Sequence, residues 1–205
     1  EDFEAFKAGE RSRYEYARYG NPTQRVAEQK IAALEGADDA LLFSSGMAAV
    51  CSVLLAMLSS GQHMIVMEDC YRMTEKFCHS MKKFGIGSSF VKPGDMEGLR
   101  AAVRPETRLL FSESPTNPHL HVLDLPQLVS FAKENDIISI IDNTFASPIN
   151  QNPINFGIDL VIHSATKYLG GHSDILAGSV SGAKELIEKI NKFSLGKKYH
   201  YYVYL

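Results

Sequence analysis

Several short apolar runs in this chain do not alternate with polar residues, and segments of helical spacing separate them. His63–Met67 and Leu160–His163 are runs of this kind, as is the stretch over 137–142. A strand that is apolar on successive residues must be buried on both faces. A parallel sheet covered by helices meets that demand, whereas a sheet with one wetted face would show alternation.

The segments between these runs carry helix signals. Asn21-Pro22-Thr23 opens a helix, with Asn21 as its cap and Pro22 in the first turn. Ala27, Ile31 and Leu34 follow at helical spacing, and Gly36 supplies a stop. Further helices are predicted through Met47, Val50, Leu54 and Leu58, over 71–84, over 95–103, over 125–135 behind an Asp124 cap, and from Ala183 onward. Strands are predicted at 40–43, 63–67, 86–91, 108–112, 137–142, 160–163 and 175–181. The expected fold is α/β, a mostly parallel seven-stranded sheet with helices on both faces. Residues 1–20 are polar and aperiodic and read as an extended arm, ahead of one large domain over 21–193.

Composition removes some classes of function. The net charge is −3, with no long run of one sign, so neither nucleic acid nor an anionic membrane is an expected partner. The apolar stretches fall short of the roughly 20 residues that span a bilayer. The acidic start, Glu1-Asp2-Phe3-Glu4, has no apolar segment of the signal-peptide kind, so a cytoplasmic location is expected. Cys51, Cys70 and Cys78 have no metal-ligand spacing and fit a reducing compartment, with Cys51 a small core residue.

In open parallel sheets, ligands bind beyond the carboxyl ends of the strands. Five predicted strands lead to polar connections there: Ser44-Ser45-Gly46-Met47, Asp69-Cys70-Tyr71, the stretch from Glu113 to Asn117, Asp142-Asn143-Thr144, and Ser164-Ala165-Thr166-Lys167. Ser45-Gly46-Met47 at a helix start offers backbone N–H groups to a phosphate, and Gly46 allows close approach. Asp142 ends an apolar run, where a carboxylate can favour the protonated form of a pyridine nitrogen. Tyr71 can stack on a flat ring, and a rigid proline-bounded loop holds Asn117, whose amide can donate to a phenolate oxygen. Lys167, desolvated and set among hydroxyls and glycines, suits a Schiff base to a phosphorylated aldehyde. Each feature also has a plain reading: a surface lysine, a simple helix cap, a strand-end aspartate, an ordinary packed tyrosine, a turn. Their shared placement carries the argument.

Tyr16-Ala17-Arg18-Tyr19-Gly20-Asn21-Pro22-Thr23, Ser45-Gly46-Met47, Glu113-Ser114-Pro115-Thr116-Asn117-Pro118 and Ser164-Ala165-Thr166-Lys167 together resemble the Cys/Met-metabolism family of pyridoxal-phosphate enzymes. The likeness runs over about 13–192. Within the family, Glu15 to Gly20, Asp69-Cys70-Tyr71-Arg72 and Ala177-Gly178 look most like the cystathionine γ-synthase branch, particularly its plant type. The resemblance implies the large domain of the aspartate-aminotransferase-like fold and the cofactor pyridoxal 5'-phosphate. It implies that Lys167 carries the cofactor and shuttles protons, and that Ser164 and Thr166, with Ser45, Gly46 and Met47, bind its phosphate. Tyr71 would stack on the ring and serve in proton transfer, Asp142 would pair with the ring nitrogen, and Asn117 would meet the phenolate oxygen, with Glu113 in the same cofactor-facing set. Tyr16 and Arg18 would reach the phosphate in a neighbouring subunit of a homotetramer built from dimers. Amino-acid substrates are implied, with γ-replacement to cystathionine first, γ-elimination second, and an inactive cofactor-binding module as the reading outside enzymes.

Family members run to about twice this length and add a small domain whose arginine grips the substrate carboxylate. Here the likeness fades after Phe193, and 194–205 reads as an unassigned tail of a truncated chain. Glu75 also stands where relatives often carry a basic or aromatic residue near the substrate entrance.

Overall fold

The computed structural model describes residues 20–194 together with Glu4, Ala5, Ala8 and Tyr14. Helix α1 (Pro22–Glu35) starts as expected: the Asn21 side chain accepts from the N–H groups of Thr23 and Gln24, and Gly36 ends it with φ 70°. Then follow β1 (Asp39–Phe43), α2 (Gly46–Met57), β2 (His63–Met67), α3 (Arg72–Ser80), β3 (Gly87–Val91), α4 (Met96–Ala102) and β4 (Thr107–Glu113). The chain continues through α5 (Leu125–Glu134), β5 (Ile138–Asp142), the single-turn α6 (Ser147–Asn150), β6 (Leu160–His163), β7 (Gly178–Gly182) and α7 (Lys184–Ser194). Side-chain caps from Ser45, Asp95 and Asp124 start α2, α4 and α5.

Seven strands form one sheet in the order β1-β7-β6-β5-β4-β2-β3. Every pairing among β2 to β6 is parallel, while β7 runs antiparallel between β1 and β6. Two cores flank the sheet, as the unalternated strands require. Val53, Leu54 and Met57 of α2, Cys78 of α3 and Ile187 and Ile190 of α7 pack on one face against Met64, Val66, Phe111, Ile140 and Ile162. Leu99 of α4 and Leu128, Val129 and Phe131 of α5 cover the other face, against Ile65, Leu110, Ile141 and Val161. Among the described residues no helix is long and apolar enough to cross a membrane.

Three expectations need correcting. The run at 175–181 does not enter the sheet until Gly178, and Ile175 and Leu176 stay 48% and 71% exposed. Its apolar character serves a loop over the site, because the Ala177 backbone is already bound to Thr166. The helix over 71–84 ends at Ser80 and tightens into a 3₁₀ turn over Met81–Phe84, closed by Gly85 at φ 74°. The link between β5 and β6 contains α6 and a 3₁₀ turn over Pro153–Phe156, which the apolar spacing does not signal.

Candidate active site

The carboxyl ends of β1, β2, β4, β5 and β6 reach the same edge of the sheet, and the start of β7 meets them there. A cavity of about 720 Å³ opens on this edge. Ser45, Gly46, Met47, Tyr71, Glu113, Asn117, Asp142, Ser164, Thr166 and Lys167 all line it, so the fold brings together every expected site residue it describes. Tyr16 and Arg18 lie outside the described residues.

The β1–α2 turn forms one end. Ser45 Oγ accepts from the N–H of Ala48, 3.0 Å away, as a helix cap does. The N–H groups of Gly46 and Met47 belong to the first helical turn, where no intrahelical acceptor exists, and they add to the positive helix end. A Cβ on Gly46 would stand 2.8 Å from that of Ser164, so glycine lets this turn sit directly against the β6 segment. Ser164 is fixed in turn by its N–H bond to Thr144 Oγ1, at 2.8 Å.

Asp142 forms the floor, 8% exposed at the end of β5. Its Oδ1 accepts from the Thr144 N–H at 3.0 Å and from Thr144 Oγ1 at 2.5 Å. Glu113 stands beside it in register on β4 and is buried as well. Glu113 Oε2 accepts from the Tyr71 N–H at 2.7 Å, which holds Tyr71 at the head of α3. Burial first, then the neighbouring Asp142 charge, push Glu113 up to about 8 from an ordinary 4.5. Burial likewise raises Asp142, against the lowering effect of the Thr144 bonds.

A pH dependence follows. An unfolded Glu113 loses its proton at its ordinary value and the folded one near 8, so in between the folded state holds more protons and stability falls as pH rises. Glu113→Gln keeps an acceptor for Tyr71 and removes the titration. In urea unfolding without added cofactor, from about pH 5 to about pH 9, the variant's midpoint is expected to decline less than that of the parent. An identical decline in both would refute the assignment.

Two site residues behave differently from expectation. Lys167 is exposed rather than desolvated, because the turn after β6 carries it to the mouth of the cavity; that turn is closed by Lys167 N–H to Ser164 O and Gly171 N–H to Lys167 O. The Thr166 hydroxyl donates to Ala177 O at 3.1 Å and accepts from Ala177 N–H at 2.9 Å, pinning the 175–177 loop to the β6 turn. Tyr71 is 44% exposed and lines the cavity. Asn117 is held through its N–H bond to Asp69 O, at 3.2 Å. Asp69, at φ 67°, ties the two loops together by accepting from Thr116 Oγ1 at 2.7 Å and from His121 Nδ1 at 3.0 Å.

Thr144 was not singled out from sequence, yet it holds both Asp142 and Ser164. Its signal was present: a hydroxyl two residues after a strand-end aspartate is the spacing of an Asx-type turn. The cysteines stay out of the site chemistry, since burial pushes the thiols of Cys51 and Cys78 up to about 11 and about 12 and raises Cys70 as well.

The donor set suits pyridoxal phosphate: helix-end N–H groups and the Ser164 hydroxyl for a phosphate, a buried acid for a ring nitrogen, an aromatic side chain and one primary amine. The profile of the family described as Cys/Met metabolism PLP-dependent enzymes matches residues 1–200. The chain is 45% identical over 187 residues to cystathionine gamma-synthase 1, chloroplastic, of Nicotiana tabacum, covering 90% of this chain and 35% of that protein. It is 44% identical over 184 residues to the cystathionine beta-lyase of Lactococcus lactis subsp. cremoris, covering 89% of this chain and 48% of that one. The fold superposes with a TM-score of 0.88 and 34% identity on the crystal structure of cystathionine gamma synthase from Xanthomonas oryzae pv. oryzae in complex with cystathionine, covering 92% of this chain and 49% of that one. The chain thus spans about half or less of each of these relatives. On the strength of the matched profile and the shared fold, it belongs to the Cys/Met-metabolism family of pyridoxal-phosphate-dependent enzymes.

Proposed function

We propose that this chain is the cofactor-binding part of an enzyme that makes cystathionine by γ-replacement. The reading rests on the convergence of ten expected residues on one cavity, joined to 44–46% identity with plant cystathionine gamma-synthases. An activated homoserine ester and cysteine would react so that the Cγ–O bond breaks, a Cγ–S bond forms, and the leaving acid takes the thiol proton.

Bound pyridoxal phosphate supplies an electron sink for bonds at the substrate Cα. Lys167 Nζ holds the cofactor at rest and then moves protons among the substrate carbons. Asp142, its Oδ1 held by Thr144, holds the proton on the ring nitrogen. Gly46, Met47 and Ser164 bind the phosphate, with Ser45 and Thr166 shaping that end, while Asn117 meets the phenolate oxygen and Tyr71 covers one ring face. Glu113 fixes Tyr71 through its N–H. In the whole protein, a cytoplasmic tetramer built from dimers, Tyr16 and Arg18 reach a neighbouring subunit's phosphate.

γ-Elimination is the second reading, favoured by 41% identity to the cystathionine gamma-lyase of Bacillus subtilis. The test incubates the full-length protein with cysteine and an acyl- or phosphohomoserine. Cystathionine is the expected product; release of 2-oxobutanoate without cystathionine would replace this reading by the second.

A further inference from the structure

A cluster of polar side chains outside the cavity lining joins the two loops that carry Tyr71 and Asn117. Asp69 lies two residues before Tyr71, and its side chain is 12% exposed. Its Oδ1 accepts from His119 Nδ1, and its Oδ2 from Thr116 Oγ1 at 2.7 Å and His121 Nδ1 at 3.0 Å. Its backbone O accepts from the Asn117 N–H at 3.2 Å. The loop that supplies these donors is closed on itself: Thr116 N–H donates to His121 O at 3.0 Å, and His121 N–H to Thr116 Oγ1 at 2.9 Å. The two imidazoles lie side by side, ring centroids 5.9 Å apart, and both turn Nδ1 to the same carboxylate.

An ionised carboxylate only accepts, so both rings donate through Nδ1–H, which a neutral imidazole carries in one of its tautomers. Burial raises the Asp69 carboxyl, but the Thr116, His119 and His121 bonds outweigh it and hold the group below its usual value. The arrangement therefore needs no charge on either ring. As a device for global stability it offers little. His119 and His121 are 66% and 60% exposed, where such pairs add little to folding, and the left-handed backbone of Asp69 is itself a cost. What the cluster accomplishes is local: three donors from one loop, on a carboxylate of the other, fix how Asn117 and Tyr71 stand to each other.

We propose that Asp69, His119 and His121 are positioning residues, a latch that holds Asn117 at the phenolate oxygen and Tyr71 over the ring of the cofactor. The inference rests on the reading of Asn117 and Tyr71 as contacts of that ring. With the latch made, the Asn117 amide is held where it donates. With it open, the 116–121 loop keeps its internal bonds but is tied to Asp69 by the Asn117 N–H alone.

The test follows the visible band of the full-length protein loaded with pyridoxal phosphate as pH is raised. The band changes when the proton between the linking nitrogen and the phenolate oxygen is lost. A donor to that oxygen stabilises it most once the proton has gone, so the Asn117 contact lowers the pH of the change. Asp69→Asn keeps the side chain's shape in a backbone region that asparagine tolerates, and removes one acceptor oxygen. His119→Ala combined with His121→Ala removes two donors. Both variants are expected to raise the midpoint by about half a pH unit or more, roughly a threefold change in the equilibrium, as Asn117→Ala also should. A lower melting temperature with the midpoint unchanged marks a merely structural role and overturns the proposal, as does a shift in only one of the two. If Asn117→Ala leaves the midpoint in place, the reading of Asn117 fails and the latch with it; if Asn117→Ala alone moves it, only this inference fails. Should Asp69→Asn not fold, the double histidine variant decides, because it alters only exposed side chains.

Discussion

Lys167→Ala is expected to lower turnover by about 10³-fold or more and to leave the protein without a visible absorption band after dialysis, since one group supplies both the covalent link and the proton transfer. The geometry separates this loss from misfolding. Lys167 is exposed at the mouth of the cavity, and the bonds that shape its turn are made by its backbone, not its side chain. Truncation at such a surface position changes stability by no more than about 0.5 kcal/mol. The variant should therefore melt with the parent while losing colour and activity together. Borohydride reduction followed by peptide mapping gives the sharper check: in the parent the label should fall on the peptide containing Lys167. A label on another lysine, or a band that survives dialysis in the variant, would overturn the assignment.

Gly178→Ala is expected to cost about 3 kcal/mol or more in stability, at the upper end for added atoms in a packed interior. A Cβ there would stand 2.1 Å from Ser45 O, 2.5 Å from Ser45 C and 2.8 Å from Gly46 N. All three are backbone atoms, so no rotamer change relieves the clash. Gly178 pairs with Phe43 in the β1–β7 register, and the turn it would displace begins α2 at the cavity. Cofactor affinity should fall along with the melting temperature. Gly94→Ala is the control, because Gly94 has φ 78° and open space around it. Its cost is the backbone strain of the left-handed region alone, about 1 kcal/mol, and cofactor binding should be spared. Equal stability losses in the two variants would refute the packing argument.

Much of this molecule could be read from local pattern. Asn21, Ser45 and Asp124 act as the caps their positions suggest, since capping needs only neighbours two or three residues away. The apolar strands lie inside a covered sheet because residues that are apolar on both faces have nowhere else to go. The site followed from the same logic: polar residues after successive parallel strands must meet at one edge, and ten of them do.

The sequence by itself determined most of the elements, the layered architecture and the family, because those depend on periodicity, caps and short motifs within single segments. Only the tertiary structure decided that β7 runs antiparallel, that Ile175 and Leu176 leave the sheet to border the cavity, and that Lys167 stands exposed at its mouth. It alone joined Glu35 to His163 across 128 residues of sequence. Contacts of that kind depend on the path of the whole chain, since helix α1 must first dock against the strand ends before a carboxylate and an imidazole so far apart can meet.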